Sequence, residues 1–411
     1  MADSIYWIWL QQVLGIGSIK VDKVARELGG PEKLYQMPRS DLEELALFTP
    51  RELERILQTR SLEQAQTNLQ TAQRLGCQVI TPDHPSYPTN LANIDCMPCV
   101  LYVLGDCADL EDRLTITMVG TRDCNEYGIR TASKLAYDLG IAGCVVVSGL
   151  AVGIDTAAHE GALEAQGKTV GILACGMNVD YPKESNRLKR RILDQGGLLM
   201  TEYPFGREVR GSHFQARNRL LSGLASGVVV VQAPRKSGAL ITARLALEQN
   251  RDVFAVPGGI FDQRMVGCNE LIGNSSGKIV INVFSILEEY AGLLPATVDL
   301  GRLARQANSR MIPQVSPVEK NSKRRKVPDE TPPPKAEVAL HLTQAQLDEM
   351  GVSTAAQQIY QMITPEPVNE EILMEQSGLQ LMEVLSSLTE LEVNQLIIGL
   401  PGKRFALAAA C

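Results

Sequence analysis

Three short segments combine small residues with a hydroxyl or a cation in a way that suits an anion. They are Val119-Gly120-Thr121-Arg122, Ser148-Gly149-Leu150-Ala151-Val152-Gly153-Ile154-Asp155, and Ser237-Gly238-Ala239-Leu240-Ile241-Thr242. Glycine lets backbone N–H groups come close to a phosphate, and a helix that starts inside such a segment aims its positive dipole end at the same ligand. Helix–strand packing explains any one loop equally well. Three of them, with Arg122 in the first, point to phosphate recognition. A fourth segment, Phe214-Gln215-Ala216-Arg217-Asn218-Arg219, follows Arg207, Arg210 and His213. Its arginines suit phosphates and Phe214 suits the face of a base; the plainer alternative is a core phenylalanine beside a solvated basic face.

The residues that could catalyse are less well placed. Asp155, His159 and Glu202 could form an acid/base set, but an aspartate at a helix start is ordinarily a cap, and a histidine one turn later reads as a packed side chain. The four histidines (84, 159, 213 and 341) are not spaced as metal ligands, and Cys96-Met97-Pro98-Cys99 has no second half-site. No catalytic residue, metal or cofactor is therefore expected. Nine cysteines, an odd number scattered over 411 residues, argue against a disulfide framework and for a cytoplasmic protein. No apolar run approaches the length of a membrane span, so no membrane partner is expected.

The loops need elements to hold them. Between 114 and 290, short apolar runs at 115–119, 144–148, 169–175, 198–201, 228–232, 253–256 and 279–281 lack alternation, as strands buried on both faces of a parallel sheet do. Helical patterns at 127–141, 155–166, 185–195, 215–224 and 240–249 fill the gaps, which predicts a doubly wound, mostly parallel α/β sheet of Rossmann-like type. In such sheets ligands bind at the carboxyl edge, where the three loops lie. Residues 1–75 read as short helices. Ser4 is placed to cap the first, and Gly15-Ile16-Gly17 separates it from a second that ends at Gly29-Gly30. This outline of a helix-hairpin-helix can present N–H groups to a DNA phosphate or only pack helices together. Domain limits are expected at 1–75, 76–292, 293–341 and 342–411. The third segment is a proline-rich linker carrying Lys323-Arg324-Arg325-Lys326, and the last has three short helices and a hairpin with a turn at Pro401-Gly402, the plan of a winged helix.

A net charge of −7 hides an uneven distribution. Residues 183–251 hold thirteen basic against five acidic side chains, a net of +8, whereas 343–398 hold nine acidic residues and no lysine or arginine. Nucleic-acid binding responds to the local field and not to the sum.

On these residues the central region resembles the DNA-processing protein A (DprA/Smf) family. The likeness rests on Val119-Gly120-Thr121-Arg122 with Tyr127-Gly128, on the loop 148–155 with Ala158-His159, and on Gly176 with Tyr181-Pro182. It continues through Phe214 with Arg217-Asn218-Arg219, Ser237-Gly238 with Leu240-Ile241-Thr242, and Phe254-Ala255-Val256-Pro257-Gly258 with Gly267-Cys268-Asn269-Glu270-Leu271-Ile272. Gln215 and Gln232 depart from the family's usual proline and glutamate. The resemblance implies a non-catalytic homodimer of natural transformation that binds and protects single-stranded DNA and helps load a RecA-type recombinase. It implies DNA contacts at Gly120, Thr121, Arg122, Ser148, Gly149, Gly153, Lys183, Phe214, Arg217, Asn218, Arg219, Ser237, Gly238 and Thr242. An alternative of another class is a phosphoribohydrolase-like nucleotide-processing enzyme. That chemistry needs a glutamate close to the threonine of its glycine loop, and here Glu248 lies almost two turns beyond Thr242.

Overall fold

The apolar runs of the central region form one nine-stranded sheet: β1 (Gln78–Ile80), β2 (Leu101–Leu104), β3 (Thr115–Gly120), β4 (Val145–Ser148), β5 (Thr169–Ile172), β6 (Leu198–Thr201), β7 (Gly227–Gln232), β8 (Asp252–Ala255) and β9 (Lys278–Ile279). Their spatial order is 1-2-6-5-4-3-7-8-9. From β6 to β9 every pairing is parallel, while β1 and β2 extend the edge beyond β6 in antiparallel register. The computed structural model describes residues 2–303 except 108, 109 and 293, and residues 342–407 except 351, 365–367, 380, 395 and 401–403. The basic run 323–326, the turn at Pro401-Gly402 and most of the linker lie outside the described residues.

From β3 the chain winds through β4 and β5 to β6, and from β7 it winds the opposite way through β8 to β9. The strand order therefore reverses between β3 and β7, and the crevice at their carboxyl ends is the place where such sheets take ligands. Every residue of β4, β5 and β6 is buried, which accounts for the continuous apolar runs. Helices Glu126–Ile141, Ile154–Glu164 and Asn186–Asp194 pack side by side, as do Gly211–Leu224 and Gly238–Glu248. The first pair is so close that a Cβ on Gly161 would lie 2.2 Å from the Ser133 carbonyl oxygen. Gln232 is accommodated by the start of the first helix: its amide donates to Asn125 Oδ1 at 2.9 Å and accepts from the Asn125 N–H at 3.1 Å. A neutral amide can do both where a carboxylate could only accept.

Six helices, from Ala2–Leu14 to Glu63–Arg74, precede the sheet and share its hydrophobic core through residues such as Trp9, Leu10, Leu34 and Ile56. Ser4 lies inside the first helix and does not cap it. The Gly15-Ile16-Gly17 turn uses positive φ at both glycines (80° and 78°), a conformation that costs glycine nothing. This turn is packed against the central region: a Cβ on Gly17 would meet Arg219 Nε at 3.6 Å, and Gln11 Nε2 donates to the Glu202 carbonyl at 3.0 Å. Lys20, one of two lysines by the turn, is paired with Glu52. Of the two readings of this hairpin, the packing one is the one these contacts describe.

Residues Met1–Ser316 form one unit and Pro317–Cys411 a second. In the second, helices Gln344–Glu349, Thr354–Met362, Glu370–Ser377 and Leu381–Val393 enclose Leu347, Ile359, Leu373, Val384 and Leu391. Beside them is an antiparallel sheet of β10 (Val368–Asn369), β11 (Ile397–Leu400) and β12 (Arg404–Leu407). The first helix and β10 are additions to the plan read from the sequence.

Candidate nucleic-acid interface

The three loops meet at the point where the strand order reverses. Gly120, Thr121, Arg122, Phe214, Arg217, Asn218, Ser237, Gly238 and Thr242 line a groove of about 400 Å³, with Lys236 on its rim. A second cavity of about 310 Å³ adjoins it, lined by Gly149, Tyr181, Pro182 and Glu184 and sharing Arg122, Ala151 and Phe214 with the first. The Arg122 guanidinium lies 5.0 Å from the centroid of the Phe214 ring, so this cation–π pair stands between the two.

The glycines of the first two loops serve loop-to-loop contact. A Cβ on Gly120 would lie 2.5 Å from Ile154 Cγ1, one on Gly149 only 2.1 Å from Arg217 Nη1, and one on Gly153 2.6 Å from the Thr121 carbonyl oxygen. Gly153 also has φ of +89°. Gly153→Ala should therefore lower stability by more than ~1 kcal/mol, from strain and backbone clash together; a thermal midpoint equal to wild type would contradict this account of the loop. Gly238 differs. Nothing lies within 4 Å of where its Cβ would be, so at the first turn of helix Gly238–Glu248 the backbone is open to an anion. Ser237 caps that helix by accepting from the Ala239 N–H at 3.3 Å.

Ser148, expected to face the ligand, is fully buried and donates to the Met118 carbonyl at 2.7 Å, tying β4 to β3. Asp155 is buried and accepts from the N–H groups of Gly149 (3.1 Å) and Ala151 (3.3 Å), so it clamps the second loop and does not cap its own helix. Burial pushes its carboxyl up, with the nearby Arg217 charge and these N–H groups opposing. His159 Nδ1 lies 2.7 Å from Thr169 Oγ1, which itself donates to the Val146 carbonyl. Burial holds its pKa down at about 3, so the ring is neutral and structural.

The structure corrects the expected placing of the two arginines. Arg217 does line the groove, yet it is buried and gives Nη1 to the carbonyls of Gly149 (2.8 Å) and Ile172 (2.5 Å). Arg219 is removed from the groove altogether: it is buried, ion-paired with Glu202 and hydrogen-bonded to the Cys96 carbonyl at 2.6 Å. Neither is a solvated face: Arg219 is committed to Glu202, and Arg217 to the two carbonyls through Nη1. Asn218 reaches from the same helix to the Gly238 carbonyl, 3.4 Å away. Lys183 is exposed beside Pro182, and so are Arg122 and Lys236. None of the three forms an ion pair among the described residues, whereas Arg235 is paired with Glu270 and Arg244 with Glu248. Lys236 and Tyr181 are site residues that the sequence reading passed over; Lys236 was visible in it only as one charge of the basic stretch.

Of the residues weighed for an acid/base set, Asp155 and Glu202 are buried on internal donors, His159 is buried with Nδ1 against Thr169, and Glu248 is engaged with Arg244 on the surface. Among the described residues no group of three His, Cys, Asp or Glu could hold a metal ion, and Cys77, Cys96, Cys99, Cys124, Cys144, Cys175 and Cys268 are free thiols. No helix among them is long and apolar enough to cross a membrane.

Comparison with known proteins agrees with this architecture. Residues 78–291 match the family model of DNA recombination-mediator protein A, and residues 331–403 match that of the DprA winged helix domain. Protein Smf of Synechocystis is 36% identical over 282 residues, covering 68% of this chain and 71% of the relative. DNA processing protein DprA of Streptococcus pneumoniae is 40% identical over 204 residues, covering 50% of this chain and 71% of that protein. The crystal structure of DprA from Streptococcus pneumoniae superposes with a TM-score of 0.59 at 33% identity, covering 69% of this chain and 97% of that one. With half of its length matched by the family model and the relatives aligned over most of theirs, the chain belongs to the DNA recombination-mediator protein A (DprA/Smf) family.

Proposed function

We propose that the groove at the β3/β7 reversal binds single-stranded DNA, and that the protein protects incoming DNA in natural transformation and helps load a RecA-type recombinase. The observation that carries this reading is the grouping of Arg122 and Lys236, neither ion-paired among the described residues, with an open helix N-terminus at Gly238 and the partly exposed Phe214 ring; Lys183 is exposed beside Pro182 of the adjoining cavity. Phosphates suit the first two features and an unstacked base suits the third, a combination that a duplex with its bases stacked inside cannot fill. Relatives carrying the name DNA processing protein agree with a DNA ligand.

The role read here is a binding one, because Asp155, His159 and Glu202 are buried within the fold and Glu248 is paired with Arg244. Homodimerisation is supported by exposed apolar side chains, Ile260 and Phe261 on the loop after β8 (76% and 90%) and Ile281 just after β9 (78%). The acidic second unit suits a protein partner better than a phosphate backbone. Filter binding with a labelled single strand and the same sequence as duplex, run beside a nucleotide-hydrolysis assay, tests the reading. Retention of the single strand in preference to duplex, with no hydrolysis, is expected; turnover of a nucleotide without retention of DNA would overturn it.

A further inference from the structure

We propose that Gln232 is a positioning residue for this groove: it clips both ends of the loop that carries Arg122, and so sets where that cation stands. The inference rests on the single-strand reading above and names a buried residue that serves it from behind.

Gln232 is the last residue of β7 and is fully buried. Its backbone carbonyl accepts from the Thr121 N–H at 2.7 Å, and its side-chain Oε1 accepts from the Asn125 N–H at 3.1 Å. Arg122, Asp123 and Cys124 lie between these two anchors. The β3/β7 register slips between Val119, opposite Val230, and Gly120, opposite Gln232, which brings the glutamine level with the loop. Gly128 leaves room for the side chain to reach it, since a Cβ there would lie 2.5 Å from Gln232 Oε1.

Within the clip every donor meets an acceptor. Gln232 Nε2 donates to Asn125 Oδ1 at 2.9 Å and makes a weaker contact with Met265 Sδ at 3.5 Å. Asn125 Oδ1 also accepts from the Gly128 N–H at 3.0 Å, capping helix Glu126–Ile141, while Asn125 Nδ2 donates to Asp262 Oδ2 at 3.0 Å. An ionised carboxylate only accepts, so Asp262, with Arg264 Nη1 3.8 Å from its other oxygen, fixes which way the Asn125 amide faces. The Asn125 oxygen is thereby turned to Gln232, and the group that meets it must carry a hydrogen. An amide does; an ionised carboxylate of the same shape does not.

The test uses the full-length protein, labelled oligothymidylate and Gln232→Glu, which keeps the shape and removes the donor. At pH 8 affinity should fall about tenfold, a mid-range effect for residues coupled in one hydrogen-bond network, at the wild-type salt slope because no phosphate contact is lost. In an Arg122→Ala background the same substitution should change affinity little, since the clip then has no cation to place. Lowering the pH to 5.5 should return the single variant towards wild type measured at that pH. Burial beside Asp262 raises the introduced carboxyl's pKa, and once protonated it donates as the amide did. Gln232→Met, apolar and of similar volume, should bind as weakly as Gln232→Glu does at pH 8, and at both pH values. Hydrogen exchange of the amides of 121–128 at pH 8 should be faster in both variants than in wild type.

Wild-type affinity in both variants, or a loss as large without Arg122 as with it, overturns the positioning proposal and leaves the single-strand reading standing. If wild type binds no strand, the single-strand reading fails, and exchange over 121–128 that is unchanged in the variants then overturns the positioning proposal as well.

Discussion

Arg219→Ala is expected to destabilise the first unit by about 3–5 kcal/mol, because it leaves the Glu202 carboxylate buried without its partner. For a unit of this size the thermal midpoint should fall by roughly 5–8 °C. Glu202→Ala should cost a similar amount for the mirror reason. Replacing both residues together by apolar side chains of similar volume should recover most of the loss, since removing a buried pair also removes its desolvation penalty. The pair lies where the Gly15-Ile16-Gly17 turn meets the sheet, so the single variants should also expose the amino-terminal helices to proteolysis first. Single-strand affinity measured well below the transition should stay close to that of wild type. A stable Arg219→Ala protein with a large loss of DNA affinity would show instead that this arginine contacts DNA.

Arg217→Ala should be at least as damaging, and to binding as well as stability. Its guanidinium fills the space over Gly149, holds two carbonyls on neighbouring strand ends and faces the buried Asp155. Without it two carbonyls lose their donor, a loss of about 1–3 kcal/mol each, Asp155 loses the nearby positive charge, and the second loop loses the contact that sets its position beside Arg122. Lysine should not rescue fully, because a compact ammonium leaves unfilled the space over Gly149 that the Nη1, Cζ and Nη2 atoms of the guanidinium occupy. The decisive readout is the salt dependence of whatever binding remains. A positioning role leaves the slope near that of wild type with a weaker constant, whereas a phosphate contact makes the slope shallower. Wild-type stability in Arg217→Ala would contradict the positioning role.

The contrast between these arginines and Arg122 shows what the sequence can carry. The central strands and their helices were legible to within a few residues, because strands buried on both faces must be apolar throughout and the connecting helices are amphipathic. Convergence of the three loops followed from topology alone, since all of them leave the carboxyl ends of parallel strands. β1 and β2 escaped notice because three or four residues among prolines and cysteines give no period to detect. The arginines failed for another reason. Composition reports a cation but not the side of the helix it occupies, and residues two apart on a helix differ by roughly 200°, so Arg217 and Arg219 could not both face one phosphate. The one lies over Gly149 and the other under Gly17. Similarly, the glycines of the first two loops were read for what they admit from outside, when Gly149 and Gly153 are required by what already lies inside. Gly238 alone among the groove glycines keeps open space, and no feature of the sequence distinguished it.

The central claim is that exposed cations on the loops at the β3/β7 reversal neutralise the phosphates of a single strand. A titration of labelled oligothymidylate over a series of salt concentrations tests it most directly, with wild type, Arg122→Ala, Lys183→Ala and Lys236→Ala compared. With about four phosphates neutralised, the logarithm of the binding constant should fall with the logarithm of salt at a slope near −3, and each variant should lose about 0.7 from that slope while keeping the wild-type thermal midpoint. A flat salt dependence in wild type, or a slope unchanged in all three variants, would contradict the claim.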